Sequence, residues 1–246
     1  MSTYFNIKLE FNQEIFNHTL DVAIKDRQKG YVCVVDANVL TIGQKDKNYR
    51  EILNNSIINC CDGSSIAWLA GLLHKKKYKA FNGPEIFEIY IEKKYKQLLL
   101  GSTEPTVEKI KKKLILKGIE PDHLSFMQVP FMPVDEFDYE AIALEINHCM
   151  PEIIWVSLGA PKQEIFMSKL LPHINSGIMF GIGAAFNFYV GEIVLPKTRL
   201  GTLRFIWLSR IFSEPKKQIT RVLPYLYILP KLWWQERKKI INERSL

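Results

Sequence analysis

Short aliphatic and β-branched runs alternate with longer amphipathic stretches over the first 180 residues of this chain. The runs predict strands at residues 31–35, 56–60, 97–100, 124–129, 153–157 and 177–180. The stretches between them predict helices at residues 46–54, 64–73, 84–95, 103–117, 134–149 and 161–171. Strands and helices that alternate at this spacing form βαβ units, whose strands pair in parallel. The sequence therefore predicts an α/β fold, Rossmann-like, with a mostly parallel sheet and helices on both faces.

The composition indicates a protein of the reducing cytoplasm. With 246 residues and 47% hydrophobic content, the chain can bury a large core. Its start, MSTYFNIKLEFNQEIF, lacks the basic and apolar regions of a signal peptide. No apolar run reaches the roughly 18 residues of a membrane span. Four cysteines without CxxC spacing fit neither a disulfide framework nor a zinc site.

The net charge of +7 is concentrated at the end of the chain. Residues 197–246 hold twelve Lys and Arg against three Asp and Glu, together with seven aromatic residues. Such a segment binds a polyanion, either nucleic acid or an anionic membrane surface, unless it is simply a solvated helix face. The change in composition near Pro196 predicts an α/β core, residues 1–196, and a helical, basic and aromatic appendage, residues 197–246.

Polar residues follow four of the predicted strands, at the points where those strands end. They are Asp36 and Asn38, Asp62 and Gly63, Gly101 and Ser102, and the segment SLGAPKQE at residues 157–164. Because the carboxyl ends of parallel strands meet at one edge of a sheet, where ligands bind, these residues are expected to converge. Gly101 and Ser102 lead into a predicted helix whose free amides could hold a phosphate.

Each of these signals has a simpler structural interpretation when it is taken alone. Asp-Gly after a strand is most often a turn or a helix cap, and Gly101–Ser102 could merely begin a helix. The segment GIGAAF at residues 181–186 is similar to a dinucleotide fingerprint, but it lacks the third glycine, and a close-packing turn fits better. The five histidines have no metal-binding spacing, and no Asp-x-Asp occurs. The residues alone thus predict a cytoplasmic α/β protein that binds an anionic ligand and has a basic, aromatic tail.

In combination, the motifs resemble those of the WecG/TagA/CpsF family of bacterial glycosyltransferases (glycosyltransferase family 26), from about Asn6 through Arg221. The shared elements are the segment around Asn38, DG at 62–63, NGPEIF at 82–87, LLLGS at 98–102, SLGAPKQE at 157–164, GIGAAFNFYVG at 181–191 and WLSRIFSEP at 207–215. Several motifs in family order are more specific than any one of them.

The resemblance implies an inverting transfer of a sugar from a UDP-sugar to a polyprenyl-diphosphate-linked saccharide in cell-surface polysaccharide synthesis, without metal or cofactor. The sugar would be of the N-acetylmannosamine type, its uronic acid or a hexose. Asp62 matches the family's base and Gln163 an active-site amide, so both are predicted to be catalytic. The predicted substrate-binding residues are Asp36, Asn38, Gly63, Gly101, Ser102, Gly159, Pro161, Lys162, Gly183, Asn187, Arg210 and Arg221.

For the appendage, the resemblance favours the membrane over nucleic acid as the partner. Pro224, Pro230 and the short apolar runs argue against a spanning helix, which leaves an interfacial element with aromatic residues at headgroup depth. Each basic group near an anionic surface contributes about 1 kcal/mol. The protein is therefore expected at the inner face of the cell membrane, peripherally bound. The alternative is that the aromatic residues pack on the core and the appendage is a structural cap.

The chain also departs from the family pattern. Asp36 stands where many members have Thr, Ala80 (beside Lys79) where they have Arg, and Asn187 where Asp is usual. These changes leave the donor sugar open and allow an altered or inactive member. Two other classes of protein are alternatives: a nucleotide-dependent oxidoreductase that uses GIGAAF, and a non-catalytic membrane-associated scaffold of a polysaccharide-synthesis complex. The oligomeric state, including a homo-oligomer, is left open.

Overall fold

A computed structural model of the chain describes residues 2–193, 199–200, 203–204 and 215–244. The strands are β1 (Ser2–Tyr4), β2 (Ile7–Leu9), β3 (Lys29–Val35), β4 (Ile58–Cys61), β5 (Gln97–Leu100), β6 (Leu124–Met127), β7 (Ile153–Val156), β8 (Gly177–Gly181), β9 (Arg199–Leu200) and β10 (Leu203–Arg204). The helices are α1 (Gln13–Lys25), α2 (Ala37–Lys45), α3 (Lys47–Asn54), α4 (Ser64–His74), α5 (Gly83–Ile91), α6 (Glu104–Leu116), α7 (Tyr139–Cys149), α8 (Lys162–Leu170), α9 (Ala185–Tyr189) and α10 (Pro215–Arg244).

The central sheet has six strands in the order β4-β3-β8-β7-β5-β6, and every neighbouring pair is parallel. All six predicted strands are present, with ends within two residues of the predicted positions. The strands β1 and β2 form a separate antiparallel hairpin, as do β9 and β10. The α/β, Rossmann-like prediction is confirmed.

Side chains along the strands alternate between two buried layers. On β3, Tyr31, Cys33 and Val35 face one layer, while Val32 and Val34 face the other. The first layer packs against α2, α3, α4, α7, α8 and α10, and the second against α1, α5, α6 and α9. Because both faces are covered by helices, the strands are buried and read as nearly continuous apolar runs.

Three helices were not predicted, although α1 carries clear local signals. Asn12 caps α1 by accepting hydrogen bonds from the amides of Glu14 and Ile15, and its buried residues recur at helical spacing. The helices α2 and α9 are short and follow strands directly, so no long periodic stretch marks them. The helix predicted at 134–149 begins only at Tyr139, because Asp138 accepts a hydrogen bond from the amide of Ala141 and caps it there.

The last helix, α10, runs through Pro224 and Pro230 and packs against α2 and α4. Its buried residues are Tyr225, Ile228, Leu232 and Glu236. The Glu236 carboxylate accepts a hydrogen bond from the amide of Phe5 at 2.9 Å and contacts His74 Nε2 at 2.9 Å. In the described part of the chain, no helix combines the length and the hydropathy that crossing a bilayer requires.

Candidate active site

The predicted strand-end residues lie along one edge of the parallel sheet. There β4 leads into Asp62, β3 into Asp36, β8 into Gly183 and β7 into the loop before α8. Main-chain hydrogen bonds continue the pairing past the strand ends: the amides of Asp62, Ile182 and Ser157 donate to the carbonyls of Val35, Val156 and Leu100, at 3.0, 3.1 and 3.0 Å.

The strand order and the connections predict a crevice at this edge, around the end of β8. The helices that follow β3 and β7 pack on one face of the sheet, whereas α9, which follows β8, packs on the other. Neighbouring parallel strands whose connections leave toward opposite faces mark the ligand-binding position of an open α/β sheet. Asp36 flanks the crevice on one side. The start of α8, which contains Gln163, flanks it on the other, and Asp62 lies one strand beyond Asp36.

Asp62 is half-buried between the end of β4 and the start of α4. The N-cap of α4 is Gly63, so Asp62 is not the cap that Asp-Gly sequences often provide. Burial raises the pKa of the Cys60 thiol, and the neighbouring Asp62 carboxylate raises it further. The loop before α5 lies alongside, because the amide of Phe81 donates to the carbonyl of Cys61 at 3.0 Å.

Asp36 caps the helix that follows β3. Its carboxylate accepts a hydrogen bond from the amide of Val39 at 2.8 Å, and Asn38 lies half-buried in the first turn. Thr, which stands at this position in many members of the family that the sequence resembles, is also a good N-cap residue. The change from Thr to Asp thus keeps the capping bond and adds a negative charge beside the crevice.

Gln163 ties together the loops that follow β7 and β8. Its side-chain oxygen accepts hydrogen bonds from the amides of Gly159 at 3.1 Å and Gly183 at 3.0 Å. Both glycines have positive φ, +75° and +53°, a conformation in which other residues are strained. Ser157 completes the arrangement by donating its hydroxyl to the carbonyl of Gly183 at 2.7 Å. The bonds of Gln163 hold the crevice together, and its direct contact with substrate stays a prediction.

Glu164, which the sequence reasoning missed, lies fully buried beneath Gln163. Its carboxylate accepts hydrogen bonds from Gln163 Nε2 at 2.8 Å and from the Tyr49 hydroxyl at 2.9 Å. Burial raises the pKa of this carboxyl from 4.5 to about 7, and Asp36 adds to the rise, while the hydrogen bonds from Gln163 and Tyr49 oppose it. The sequence offered one signal, the repeated polar residues in PKQE, but nothing local shows that the Glu faces the core.

Gly101 and Ser102 lie at the same edge but far from Asp62. The strands β5 and β4 are four positions apart in the sheet, roughly 19 Å at a strand spacing of about 4.8 Å. The helix α6 that follows begins at Glu104, and Pro105 in its first turn has no amide hydrogen to offer a phosphate. Phosphate binding there stays a prediction for the distal end of a long ligand.

The remaining predicted residues are spread along the crevice and its rim. Lys162 donates to the carbonyl of Met132 and lies over the ring of Phe137, 4.9 Å from its centroid, which joins α8 to the loop after β6. Pro161, after a cis peptide bond, caps α8, and Asn187 is half-buried in the short helix α9. Arg210 and the side chain of Arg221 lie outside the described residues.

Among the residues that the structure describes, no three His, Cys, Asp or Glu side chains are grouped as metal ligands. The glycine-rich segment after β8 also differs from a dinucleotide site, since the amide of Gly183 donates to Gln163 and α9 is only five residues long.

Comparison with known proteins agrees with the motifs. The sequence profile described as "Glycosyl transferase WecG/TagA/CpsF family" matches residues 5–243. A curated protein of Bacillus subtilis (strain 168), N-acetylglucosaminyldiphosphoundecaprenol N-acetyl-beta-D-mannosaminyltransferase, is 19% identical over 212 residues, covering 85% of this chain and 81% of its own length. The protein of the same name from Bacillus spizizenii is 20% identical over 207 residues, covering 80% and 77%.

Proposed function

Because this chain belongs to the WecG/TagA/CpsF family of glycosyltransferases, we propose that it transfers a sugar from a UDP-sugar to a polyprenyl-diphosphate-linked saccharide. The observation that carries this proposal is the position of Asp62, a carboxylate at the carboxyl edge of the sheet, two strand positions from the end of β8. The relatives' names support N-acetylmannosamine as the sugar and an N-acetylglucosaminyl diphosphate lipid as the acceptor.

The proposed reaction is a single displacement with inversion. Asp62 accepts the proton of the acceptor hydroxyl while the hydroxyl oxygen forms a bond to the anomeric carbon of the donor. The bond from that carbon to the diphosphate oxygen breaks, and UDP leaves with the bonding electron pair. The product proton then stays on Asp62 until solvent removes it. One carboxylate suffices, because inversion requires a base but no covalent intermediate.

The charge that develops on the departing diphosphate needs hydrogen-bond donors and cations nearby. Amides of the strand-end loops other than those of Gly159 and Gly183, which donate to Gln163, supply the donors in this proposal. Lys79 supplies a cation, since it lies in the loop that the bond between Phe81 and Cys61 holds beside Asp62. It is adjacent to Ala80, where the family pattern has Arg, and so compensates for the missing guanidinium. Arg210 and Arg221 are proposed to meet the diphosphate of the acceptor.

We expect sugar transfer to persist in excess EDTA. The measurement is mass-spectrometric detection of the disaccharide product from UDP-N-acetylmannosamine and an N-acetylglucosaminyl diphosphate lipid, with a panel of other UDP-sugars in parallel. Loss of activity in EDTA with recovery on adding Mn²⁺ or Mg²⁺ would show that a metal is needed.

A thermal-shift titration measures UDP binding separately from transfer, since a ligand at 100 times its Kd adds about 2.7 kcal/mol to the free energy of unfolding. UDP binding without transfer from any donor would favour an inactive member, and no UDP binding would favour the scaffold.

The appendage is proposed to hold the enzyme on an anionic membrane. The side of α10 opposite its buried residues carries an exposed apolar stripe, namely Leu223, Tyr227, Pro230, Trp234 and Ile241. Lys231, Arg237 and Lys238 flank the stripe, and the ammonium group of Lys238 lies 3.7 Å from the ring centre of Trp234. Aromatic and aliphatic residues between basic ones are typical of helices that lie at a membrane interface.

Replacing Tyr227 and Trp234 together with Ser is expected to abolish co-sedimentation with anionic vesicles. The full chain is used, because truncation would uncover the core against which Tyr225, Ile228 and Leu232 pack. Wild-type binding should weaken at raised salt and with neutral lipid. The control is Leu116→Ser, which removes an equally exposed apolar side chain from α6. Wild-type protein that stays in the supernatant at low salt, or a variant that binds as well as wild type, would contradict the membrane role.

A further inference from the structure

An apolar cleft lies between α4 and α10, close to the candidate active site. Its walls are formed by Trp68 and Leu69 of α4 and by Leu229, Pro230 and Trp233 of α10, and its volume is about 270 Å³. An engineered apolar cavity of about 150 Å³ binds one benzene molecule, so this cleft has room for roughly ten carbon atoms.

Among the described residues that line the cleft, the two side-chain hydroxyl groups bond to each other. The hydroxyls of Ser65 and Tyr225 form a hydrogen bond at 3.0 Å, which leaves carbon surface toward the cleft. Pro230 has no amide hydrogen. A site without free polar partners holds water poorly, because ordered water needs two to four hydrogen bonds. Its natural occupant is therefore a hydrocarbon.

The cleft begins at the carboxyl edge of the sheet. Ser65 is three residues after Asp62, in the first turn of α4. Burial is the main cause that raises the pKa of the Tyr225 phenol to about 12. The hydrogen bond with Ser65 lowers this pKa, and the nearby Cys61 and Asp36 side chains raise it. Tyr225 therefore lies near the ends of β3 and β4, which Asp36 and Asp62 follow.

At its other end the cleft opens onto exposed apolar surface and basic groups. Trp68 is 55% exposed, and Leu72, one turn along α4, is 57% exposed. The guanidinium of Arg237 lies over the ring of Trp233 at 4.9 Å. A ligand in the cleft would therefore join the catalytic edge to the face of the molecule that is proposed to contact the membrane.

We propose that this cleft binds the isoprenoid units next to the diphosphate of the acceptor. The inference rests on the proposed function, which supplies an acceptor with a charged head, directed at Asp62, and a hydrocarbon chain that must leave the site. The cleft accommodates about two isoprene units, and the remainder of the chain continues into the bilayer. Trp68 is the residue whose ring covers the chain without itself being needed for the core, since it is largely exposed.

The test uses soluble probes, without vesicles, and the full-length protein. Tryptophan fluorescence and calorimetry measure the binding of geranyl diphosphate, decyl diphosphate and inorganic diphosphate. Geranyl diphosphate is expected to bind at least about tenfold more tightly than inorganic diphosphate, because it buries apolar surface. Trp68→Ala should remove most of that advantage and leave the affinity for inorganic diphosphate unchanged. Leu116→Ala, which removes an exposed apolar side chain of α6 outside the cleft, should leave both affinities unchanged.

Three results would overturn the proposal. Equal affinities for geranyl and inorganic diphosphate would show that no chain binds. Tighter binding of decyl diphosphate than of geranyl diphosphate would assign the cleft to the linear acyl chains of membrane lipids. Equal losses for both probes in Trp68→Ala would show a general structural effect. A second readout compares sugar transfer to geranyl- and methyl-diphosphate acceptors, with Trp68→Ala reducing kcat/KM for the geranyl form alone. If geranyl diphosphate binds but no sugar is transferred to either acceptor, the proposed function is contradicted, whereas the proposal that the cleft binds an isoprenoid chain is supported.

Discussion

Replacing Asp62 with Asn is expected to lower the rate of sugar transfer by roughly 10² to 10⁴ fold. Asn has the same shape as Asp but cannot accept the proton of the attacking hydroxyl. The turn at this position depends on the amide of Asp62, which donates to Val35, and on Gly63 as the N-cap of α4, and the variant keeps both. Single-turnover transfer and UDP affinity are measured on the same preparation.

The controls separate chemistry from folding. UDP affinity and the melting temperature of Asp62→Asn should remain near wild type, since the change leaves the backbone bonds in place. Asp62→Glu, which keeps a carboxylate but moves it by one methylene group, should retain more activity than the amide. Transfer by Asp62→Asn at the wild-type rate would refute the assignment of the base. A lower melting temperature with unchanged specific activity would make Asp62 a turn residue.

The stability of the protein is expected to fall by about 3 kcal/mol between pH 4.5 and pH 7 because of Glu164. Burial raises the pKa of this carboxyl group from 4.5, its value in the unfolded chain, to about 7 in the folded protein. In that interval the folded state therefore binds a proton that the unfolded chain has released. The free energy of unfolding declines as pH rises through the interval and levels off above about pH 7, where both states are ionised. Urea unfolding at a series of pH values measures this slope.

Two variants identify Glu164 as the source of the slope. Glu164→Gln does not titrate, so the difference in stability between pH 5 and pH 8 should shrink by about 3 kcal/mol relative to wild type. Tyr49→Phe removes a hydrogen bond that stabilises the ionised carboxylate, so it should extend the decline to higher pH. A Glu164→Gln protein with the same pH dependence as wild type would show that Glu164 ionises in the folded state as it does in the unfolded chain.

Local sequence patterns predicted much of the candidate site as well as the fold. Asp36, Asp62 and the segment that contains Gly159 could be predicted because each follows an apolar strand, and parallel strands bring their carboxyl ends to one edge. Gly183 was predicted only through the resemblance to the family. The prediction from strand ends uses only periodicity and turn chemistry, both of which act between residues that are near in sequence. The same local signals did not show that Gly63, rather than Asp62, caps α4, because a cap is decided by backbone geometry.

What the sequence determined by itself was the six strands of the central sheet, most of the helices around it and the residues that follow the strands, since apolar periodicity and helix caps are short-range effects. The tertiary structure alone decided which of those residues are neighbours. The strand order places Gly101 four strand positions from Asp62. The tertiary packing turns Gln163 toward Gly159 and Gly183 and buries Glu164 beside Tyr49. It also packs α10 on the core so that one side is buried and the other exposed. These outcomes depend on contacts between residues distant in the chain, whose pairing no local pattern encodes.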